Sequence, residues 1–208
     1  YGKSSKASNK NALSDPYVKA FRMASDRIVQ DGEGVVCLVS NNGFLDGIAF
    51  DGMRRHLRCD FDKVRIVDLR GNIRRDSMRD GIPLGEEHTV FGLGAMVGIS
   101  ITLAERRNAN GASSIEYYSV HFRATRVSKF KTLSDAGDWY GLEAERVQPN
   151  ASEVWLMEGM ADDWDSLIPL GSKEAKSGIG DALFSQYGRG VATSRDAWAY
   201  NFSANVFE

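Results

Sequence analysis

Two asparagines after an apolar segment are the first side chains in this sequence that could contact a ligand. Asn41 and Asn42 stand in SNNGFLDG (40–47), directly after the apolar run GVVCLVS (34–40). Side-chain amides carry both hydrogen-bond donors and acceptors, so the pair could line a ligand cleft. The alternative is turn chemistry, because Asn-Asn-Gly tolerates positive φ angles and connects a strand to a helix. Taken alone, this stretch favours the turn.

The second candidate is an arginine-rich stretch, DLRGNIRRDSMRDG (68–81), which follows the apolar run KVRIVDL (63–69). Guanidinium groups bind phosphates and stack on bases, so this loop could contact DNA. A solvated run of arginines is the alternative, and the stretch taken alone favours it. The candidate DNA-binding residues here are Arg70, Asn72, Arg74 and Arg75.

A third candidate lies near the end of the chain, in TSRDAWAYNFS (193–203). Thr193 and Asp196 have the spacing of a capping box, which predicts the start of a helix. Arg195 and the aromatic residues beside it could equally face DNA. The cap is the favoured interpretation of this segment alone.

Other kinds of site are not indicated. His56, His88 and His121 are scattered, and the cysteines lack the spacing of metal ligands, so we expect no metal site. Neither a nucleophile motif of the G-x-S-x-G type nor a P-loop is present. Cys37 and Cys59 stand in apolar or helical contexts, which predicts buried, reduced thiols.

The composition predicts a soluble globular protein, and the two reduced cysteines favour the cytoplasm. Hydrophobic residues make up 42% of the chain and the formal net charge is −2, which argues against a membrane-bound or disordered protein. The most apolar run, AMVGISITLA (95–104), is too short to span a bilayer. A near-neutral total charge still allows a local basic face that binds nucleic acid.

Hydrophobic periodicity predicts the elements that must position these candidates. A helix begins with Pro16 in its first turn and Ser14 or Asp15 as its cap, and it ends before Gly32. The run 34–40 is short enough for a strand buried on both faces. The further expected elements are a helix over 49–61 and strands over 63–69, 95–104 and 115–122. This order predicts the second half of a doubly wound, Rossmann-like α/β sheet, whose ligands lie beyond the carboxyl ends of the strands.

The character of the sequence changes near residue 124. RVSKFKTLSDAG (126–137) predicts a short amphipathic helix, and tryptophans then recur among acidic and polar residues. We therefore expect one domain over 1–123 and the start of a partial α+β region over 124–208.

Five segments together resemble a known family. They are DPYVKAFRMASDRI, GVVCLVSNNGFLDGIAFDGMRRHL, DLRGNIRR, HTVFGLGAMVGISITL and TSRDAWAYNFS, in that order. They resemble the methyltransferase segment of single-polypeptide, type I-like restriction–modification enzymes. These enzymes belong to the adenine-N6 DNA methyltransferases with an N-P-P-Y motif. The resemblance covers the chain to about residue 123, and again near its end.

The resemblance implies a function and two catalytic residues. It implies methyl transfer from S-adenosylmethionine to N6 of an adenine flipped out of double-stranded DNA. Tyr1 falls where the motif's tyrosine would stand, so we expect Asn-Pro-Pro before it and stacking on the flipped base. Phe91, after Val90, matches the family's second stacking aromatic. The family's cofactor-binding strands lie upstream, so no cofactor-binding residue is expected here, and the 208 residues alone should be inactive.

Two other functions stay open, and both lack catalysis. One is a stand-alone DNA-binding or specificity module with a methyltransferase-like fold, and the other is a small α/β domain with no nucleic-acid role. A half-sheet would also expose a strand edge, through which two copies could pair as a homodimer. Residues 124–208 are expected to begin a target-recognition region.

Overall fold

The computed structural model describes residues 1–76, 83–107, 113–156 and 166–188. Most of the predicted elements are confirmed to within two residues at each end, and the third strand begins four residues later than expected. The strands are β1 (Gly34–Asn41), β2 (Lys63–Asp68), β3 (Ile99–Arg106), β4 (Ser114–Ser119) and β5 (Glu145–Val147); the helices are α1 (Pro16–Asp31), α2 (Asp51–Asp60), α3 (Arg126–Ala136) and α4 (Lys173–Lys176).

The chain forms two compact units that divide after residue 157. The first contains the sheet and helices α1 to α3. The second is described over 166–188, where α4 is capped by the Ser172 hydroxyl, which accepts a hydrogen bond from the Ala175 amide. The functional boundary expected between residues 123 and 124 stays a prediction.

The described residues form a five-stranded sheet with the order β1-β3-β2-β4-β5. β3 runs antiparallel to both β1 and β2, β4 runs parallel to β2, and β5 runs antiparallel to β4. The sheet is therefore mixed rather than wholly parallel, and its identity as half of a doubly wound, Rossmann-like sheet stays a prediction. The reason is the connection from β2 to β3, which leaves and re-enters the sheet at the same edge. The carboxyl ends of β1, β2 and β4 meet there with the start of β3.

Local signals set the ends of α1. The Asp15 carboxylate accepts a hydrogen bond from the Tyr17 amide at 3.2 Å, and Pro16 occupies the first turn. Gly32 ends the helix with a φ of 91°, a conformation that glycine adopts without a steric penalty. Among the described residues, no helix combines the length and the apolar character needed to cross a bilayer.

The two faces of the sheet are covered by different elements. Helices α1 and α2 pack on one face through Phe21, Met53 and Leu57, all buried, against Val64 and Ile66 of β2. On the other face, a smaller apolar cluster contains Val67, Leu69, Val90, Ile99 and Val120, with Leu133 of α3 packed against it. Alternate residues of β2 therefore face opposite layers, as the pleat of a strand requires.

The prediction that β1 is buried on both faces is wrong. Val36 is buried among the helices, but Val35 and Val39 are 59% and 58% exposed. The elements of the second layer pack over β2 and β4 and leave this part of β1 open. Cys37 and Cys59 are also exposed, contrary to expectation, and both are free thiols. The expected homodimer stays a prediction.

A buried arginine secures the turn between β1 and α2. Arg54 of α2 is only 2% exposed, which is rare for an arginine. Its guanidinium donates to the carbonyl oxygens of Phe44 at 2.7 Å, Gly47 at 2.9 Å and Glu153 at 2.5 Å. The Glu153 carboxylate in turn accepts from Arg58 at 2.5 Å. One side chain thus holds the β1–α2 turn and the segment around residue 153 against the same helix.

Replacing Arg54 should destabilise the chain strongly. Arg54→Met keeps much of the side chain's volume but leaves three carbonyl groups without their donor, so the free energy of unfolding should fall by about 3 kcal/mol. Urea unfolding followed by circular dichroism measures the change. Arg55→Met is the matched control, since Arg55 is half-exposed and lies 3.8 Å from Glu153, and it should cost less than about 1 kcal/mol. Equal losses for the two variants would contradict the role of Arg54.

Candidate nucleic-acid interface

A buried carboxylate lies at the centre of the sheet edge where the candidate residues gather. Asp68, the last residue of β2, is 5% exposed. One of its oxygens accepts from the Asn42 side-chain amide at 2.9 Å and from the Arg70 backbone amide at 2.8 Å. The other accepts from the Tyr117 hydroxyl at 2.9 Å. Burial, together with the nearby Asp68 carboxylate, raises the pKa of Tyr117, so this hydroxyl stays a donor.

The two asparagines have structural partners at this edge. Asn42 is 6% exposed, and besides its bond to Asp68 its backbone amide donates to the Gly98 carbonyl. The Asn41 side chain accepts from the Gly43 amide at 2.7 Å and caps a short 3₁₀ turn. These contacts agree with the interpretation of the two asparagines as turn residues. A ligand-binding role for the pair stays a prediction.

The arginine-rich loop turns sharply as it leaves β2. Arg70 has a φ of 49° and donates to the Ser119 hydroxyl at 3.1 Å. Gly71 follows with a φ of 89°, and a Cβ there would lie 2.6 Å from the His88 carbonyl oxygen. Only glycine fits at this position without strain, so the loop passes directly against the segment before β3.

The other residues of the loop differ in how far their side chains are engaged in contacts within the chain. The Asn72 side chain accepts from the Arg75 backbone amide at 3.0 Å. Arg75 is paired with Asp46 at 2.6 Å and with Asp76 at 3.3 Å, and these carboxylates raise its pKa despite partial burial. Arg74 is exposed. Arg74 is therefore better placed than Arg75 to meet a phosphate group.

The segment before β3 presents two apolar side chains to solvent. Thr89 is fully buried and Val90 is 5% exposed, whereas Phe91 and Leu93 are each 58% exposed. Between them Gly92 has a φ of 66°, which turns the chain at this point. The structure thus places Val90 inward and Phe91 outward, and Phe91 lies in a loop rather than inside a strand.

Two basic residues of α3 donate hydrogen bonds to the backbone of this segment. Neither was identified as a site residue from the sequence. The Lys129 ammonium is 2% exposed and donates to the His88 carbonyl. Arg126 donates to the carbonyls of Thr89 and Glu86, each at 3.1 Å. The available signal was the spacing, because Lys129 shares the helix face of Leu133 and Ala136, where an apolar residue is expected.

Tyr1 lies in a different part of the molecule. Its ring is 5.4 Å from the ring of His56 on α2, and the Arg22 guanidinium of α1 lies over it, also at 5.4 Å. Burial raises the pKa of Tyr1 to about 12. Neither ring contact involves the β2–β3 connection that carries Phe91. The stacking roles of Tyr1 and Phe91 stay predictions, and the structure does not show the two rings together.

The remaining expectations concern Arg195 and metal ions. Arg195 lies outside the described residues. Within the four described ranges, no group of three or more histidine, cysteine or acidic side chains is arranged to hold a metal ion.

Comparisons with known proteins relate the chain to restriction–modification enzymes. No family model matches the sequence, and no curated protein matches it. Among solved structures, the ATP-dependent Type ISP restriction-modification enzyme LlaBIII bound to DNA is 31% identical with a TM-score of 0.78. A nuclease-deletion mutant of the Type ISP restriction-modification enzyme LlaGI, in complex with a DNA substrate mimic, is 26% identical with a TM-score of 0.78. The DrdV–DNA complex is 29% identical with a TM-score of 0.76.

These matches cover almost all of this chain but little of the larger proteins. They extend over 99%, 95% and 95% of this chain and over 13%, 15% and 19% of LlaBIII, LlaGI and DrdV respectively. The chain therefore has the fold of one segment of such enzymes. This confirms the expected relationship to restriction–modification enzymes at the level of the fold.

The buried ammonium of Lys129 should make stability depend on pH. Burial lowers its pKa from 10.5 to about 8, opposed by the charge of Asp68 and assisted by that of Arg126. Between those two values the unfolded chain keeps a proton that the folded chain has lost, so folding gains stability as pH rises. The gain over the Lys129→Met variant should reach roughly 3 kcal/mol by pH 10.5. Urea unfolding across this range measures it, with Lys131→Met, on the exposed side of α3, as control. Parallel stability curves for the wild type and Lys129→Met would contradict the assignment.

Proposed function

We propose that this chain is part of a DNA-modifying restriction–modification enzyme and forms the second half of its adenine-N6 methyltransferase core. The observation that carries the proposal is the exposed ring of Phe91. It lies on a segment that is hydrogen-bonded to α3, beside an arginine-rich loop at the carboxyl edge of the sheet. The sequence resemblance and the likeness to Type ISP enzymes bound to DNA support it. An enzyme of this kind would act in the cytoplasm, on double-stranded DNA.

Phe91 would form one wall around an adenine that has left the duplex. A base extruded from DNA loses its stacking partners, and an aromatic ring restores roughly 1–3 kcal/mol per base. With 58% of its surface exposed, Phe91 is free to stack in this way. Because Val90 is buried and Gly92 turns the chain, the ring would meet the base without a large rearrangement of the sheet.

The arginine-rich loop would contact the DNA backbone beside that base. Phosphate contacts position a protein on the duplex without reading its sequence. Arg74 is exposed and would serve this purpose directly. Arg75 would first have to leave Asp46 and Asp76, which already neutralise its charge. Residues after about 124 would begin the region that reads the sequence.

The residues of this chain do not by themselves fit S-adenosylmethionine, the methyl donor of such a reaction. The buried acid at the sheet edge, Asp68, already accepts three hydrogen bonds. It therefore has little capacity left to bind a ribose. We propose that the donor binds mainly to residues outside this chain, and that the isolated chain does not transfer methyl groups.

A DNA-binding or specificity module without catalysis is the second candidate, and the position of Tyr1 favours it. In this chain the tyrosine ring packs against His56 and Arg22 instead of joining Phe91 at the sheet edge. Sequencing the gene upstream of Tyr1 distinguishes the two proposals. Asn-Pro-Pro directly before Tyr1 would support the methyltransferase, and an unrelated linker would support the binding module.

Removing the Phe91 ring should affect methylation more than DNA affinity. In the longer protein, Phe91→Ala should lower the rate of methyl transfer at least tenfold, because the ring acts after docking, and change the Kd for duplex DNA less than threefold. Incorporation of a tritiated methyl group into plasmid DNA measures the rate. Phe130→Ala is the matched control, since Phe130 is a half-exposed phenylalanine on α3. Unchanged turnover in Phe91→Ala would remove Phe91 from the site.

Loss of one phosphate contact should appear in the salt dependence of DNA binding. Arg74→Gln should weaken binding to any duplex and reduce the slope of log Kd against log salt by about one. Fluorescence anisotropy with a labelled duplex between 50 and 200 mM salt, about the range in which such contacts dominate, measures both quantities. Arg27→Gln is the control, because Arg27 is an exposed residue of α1 paired with Asp31. A slope unaltered by Arg74→Gln would assign this arginine to solvent.

A further inference from the structure

The segment that carries Phe91 is held mainly through its backbone carbonyl groups. Residues 83–98 contain two short 3₁₀ turns, Glu86–His88 and Gly92–Gly94, and no strand. The carbonyls of Glu86 and Thr89 accept hydrogen bonds from Arg126, and that of His88 accepts one from Lys129. All three carbonyl groups belong to residues that precede Phe91 by two to five positions. They originate from one turn of one helix.

The two basic side chains reach this segment from a well-defined helix start. The Thr125 hydroxyl caps α3 by accepting from the Ser128 amide at 3.3 Å. Arg126 is the first residue of the helix and Lys129 lies three positions later, so both project from the same face. Guanidinium and ammonium groups can donate several hydrogen bonds at once, which suits them to binding bare carbonyls in irregular backbone.

Contacts around Gly92 extend this arrangement to the far side of Phe91. A Cβ at Gly92 would lie 3.2 Å from the Glu86 carboxylate and 3.5 Å from the Arg126 guanidinium. The Thr89 hydroxyl donates to the Glu86 carbonyl at 2.7 Å and lies 3.4 Å from Arg126. Arg126 therefore lies close to the backbone both before Phe91, at Thr89, and after it, at Gly92. Val90 adds an apolar anchor directly before the ring.

The free-energy cost of burying the Lys129 ammonium group indicates that this side chain does more than fill space. An ammonium group loses hydration when it is buried, and a methionine of similar length would not. The side chain is 2% exposed and its nitrogen lies close to Gly71, where a Cβ would be 3.1 Å away. The hydrogen bond to the His88 carbonyl, beside the arginine-rich loop, is what the ammonium contributes at this place.

We infer that Arg126 and Lys129 are positioning residues that hold the Phe91 ring where it can stack on an extruded base. This inference rests on the proposed function and deepens it. Helix α3 would thus set the position of a catalytic side chain in the β2–β3 connection. A displacement of about 1 Å at such a side chain can lower a rate roughly 100-fold, so loss of either contact should reach the reaction.

A double-mutant cycle in the longer protein tests whether Arg126 acts through Phe91. Arg126→Ala should lower kcat for methyl transfer to plasmid DNA at least tenfold and change KM for DNA less than threefold. In the Phe91→Ala background the same change should lower kcat less than twofold, because the ring it positions is gone. Arg126→Lys, which keeps the charge but not the planar fork, should recover part of the activity.

Control variants separate positioning from folding. Lys131→Ala changes an exposed, paired lysine of the same helix and should leave kcat and stability unchanged. If Arg126→Ala does not fold, Lys129→Met and Gly92→Ala disturb the same segment and take its place in the cycle. Each should lose its effect on kcat in the Phe91→Ala background.

The outcomes that overturn this inference differ from those that overturn the proposed function. If Phe91→Ala and Arg126→Ala each lower kcat and their effects multiply, Arg126 acts independently of the ring and the inference is wrong, while the proposed function stands. If Phe91→Ala leaves kcat unchanged, both the site assignment and the inference are wrong. If the wild-type longer protein transfers no methyl group, the proposed methyltransferase activity is wrong.

Discussion

The edge of the sheet depends on the buried carboxylate of Asp68. A carboxylate removed from water is stable only when donors satisfy its oxygens, and here they come from three separate places. Asn42 belongs to the turn after β1, the Arg70 amide to the loop after β2, and Tyr117 to the neighbouring strand β4. One acid therefore holds together the parts of the chain that leave the sheet. Loss of any one donor would leave part of its charge unsatisfied.

Basic side chains hold the irregular segments in place, as Asp68 holds the edge of the sheet. Arg54 binds three carbonyls in the β1–α2 turn and near residue 153, and Arg126 with Lys129 binds three in the segment before β3. Backbone carbonyls outside helices and strands need donors when they are buried, and long basic side chains can supply them from a helix nearby. The connections at the carboxyl edge are thus held in defined positions, although they contain little regular secondary structure.

This internal bonding decides which groups remain for a partner. Asn42 is buried, Arg70 is turned toward β4, and Arg75 is neutralised by two carboxylates. Phe91, Leu93 and Arg74 are exposed on the β2–β3 connection. An edge that presents an aromatic ring, an apolar side chain and a positive charge has the chemistry that the proposed contact with DNA would need, because bases stack and phosphates attract cations. The buried polar residues hold the backbone of this surface in place but do not contribute their own side chains to it.

The sequence by itself determined the elements of this protein and its relationship. Caps and periodicity predicted α1 with Pro16 in its first turn and its end before Gly32, as well as β1 to β4, because these signals are local; β5 was not predicted. The resemblance of five segments indicated a restriction–modification enzyme. Only the tertiary structure decided the direction of β3, the burial of Arg54 and Lys129, and the exposure of Cys37. Lys129 meets a carbonyl 41 residues away and Arg54 one 99 residues away, so no local pattern could reveal them. Whether a charged side chain is buried depends on distant partners that offset its lost hydration, and only the folded chain brings those partners together.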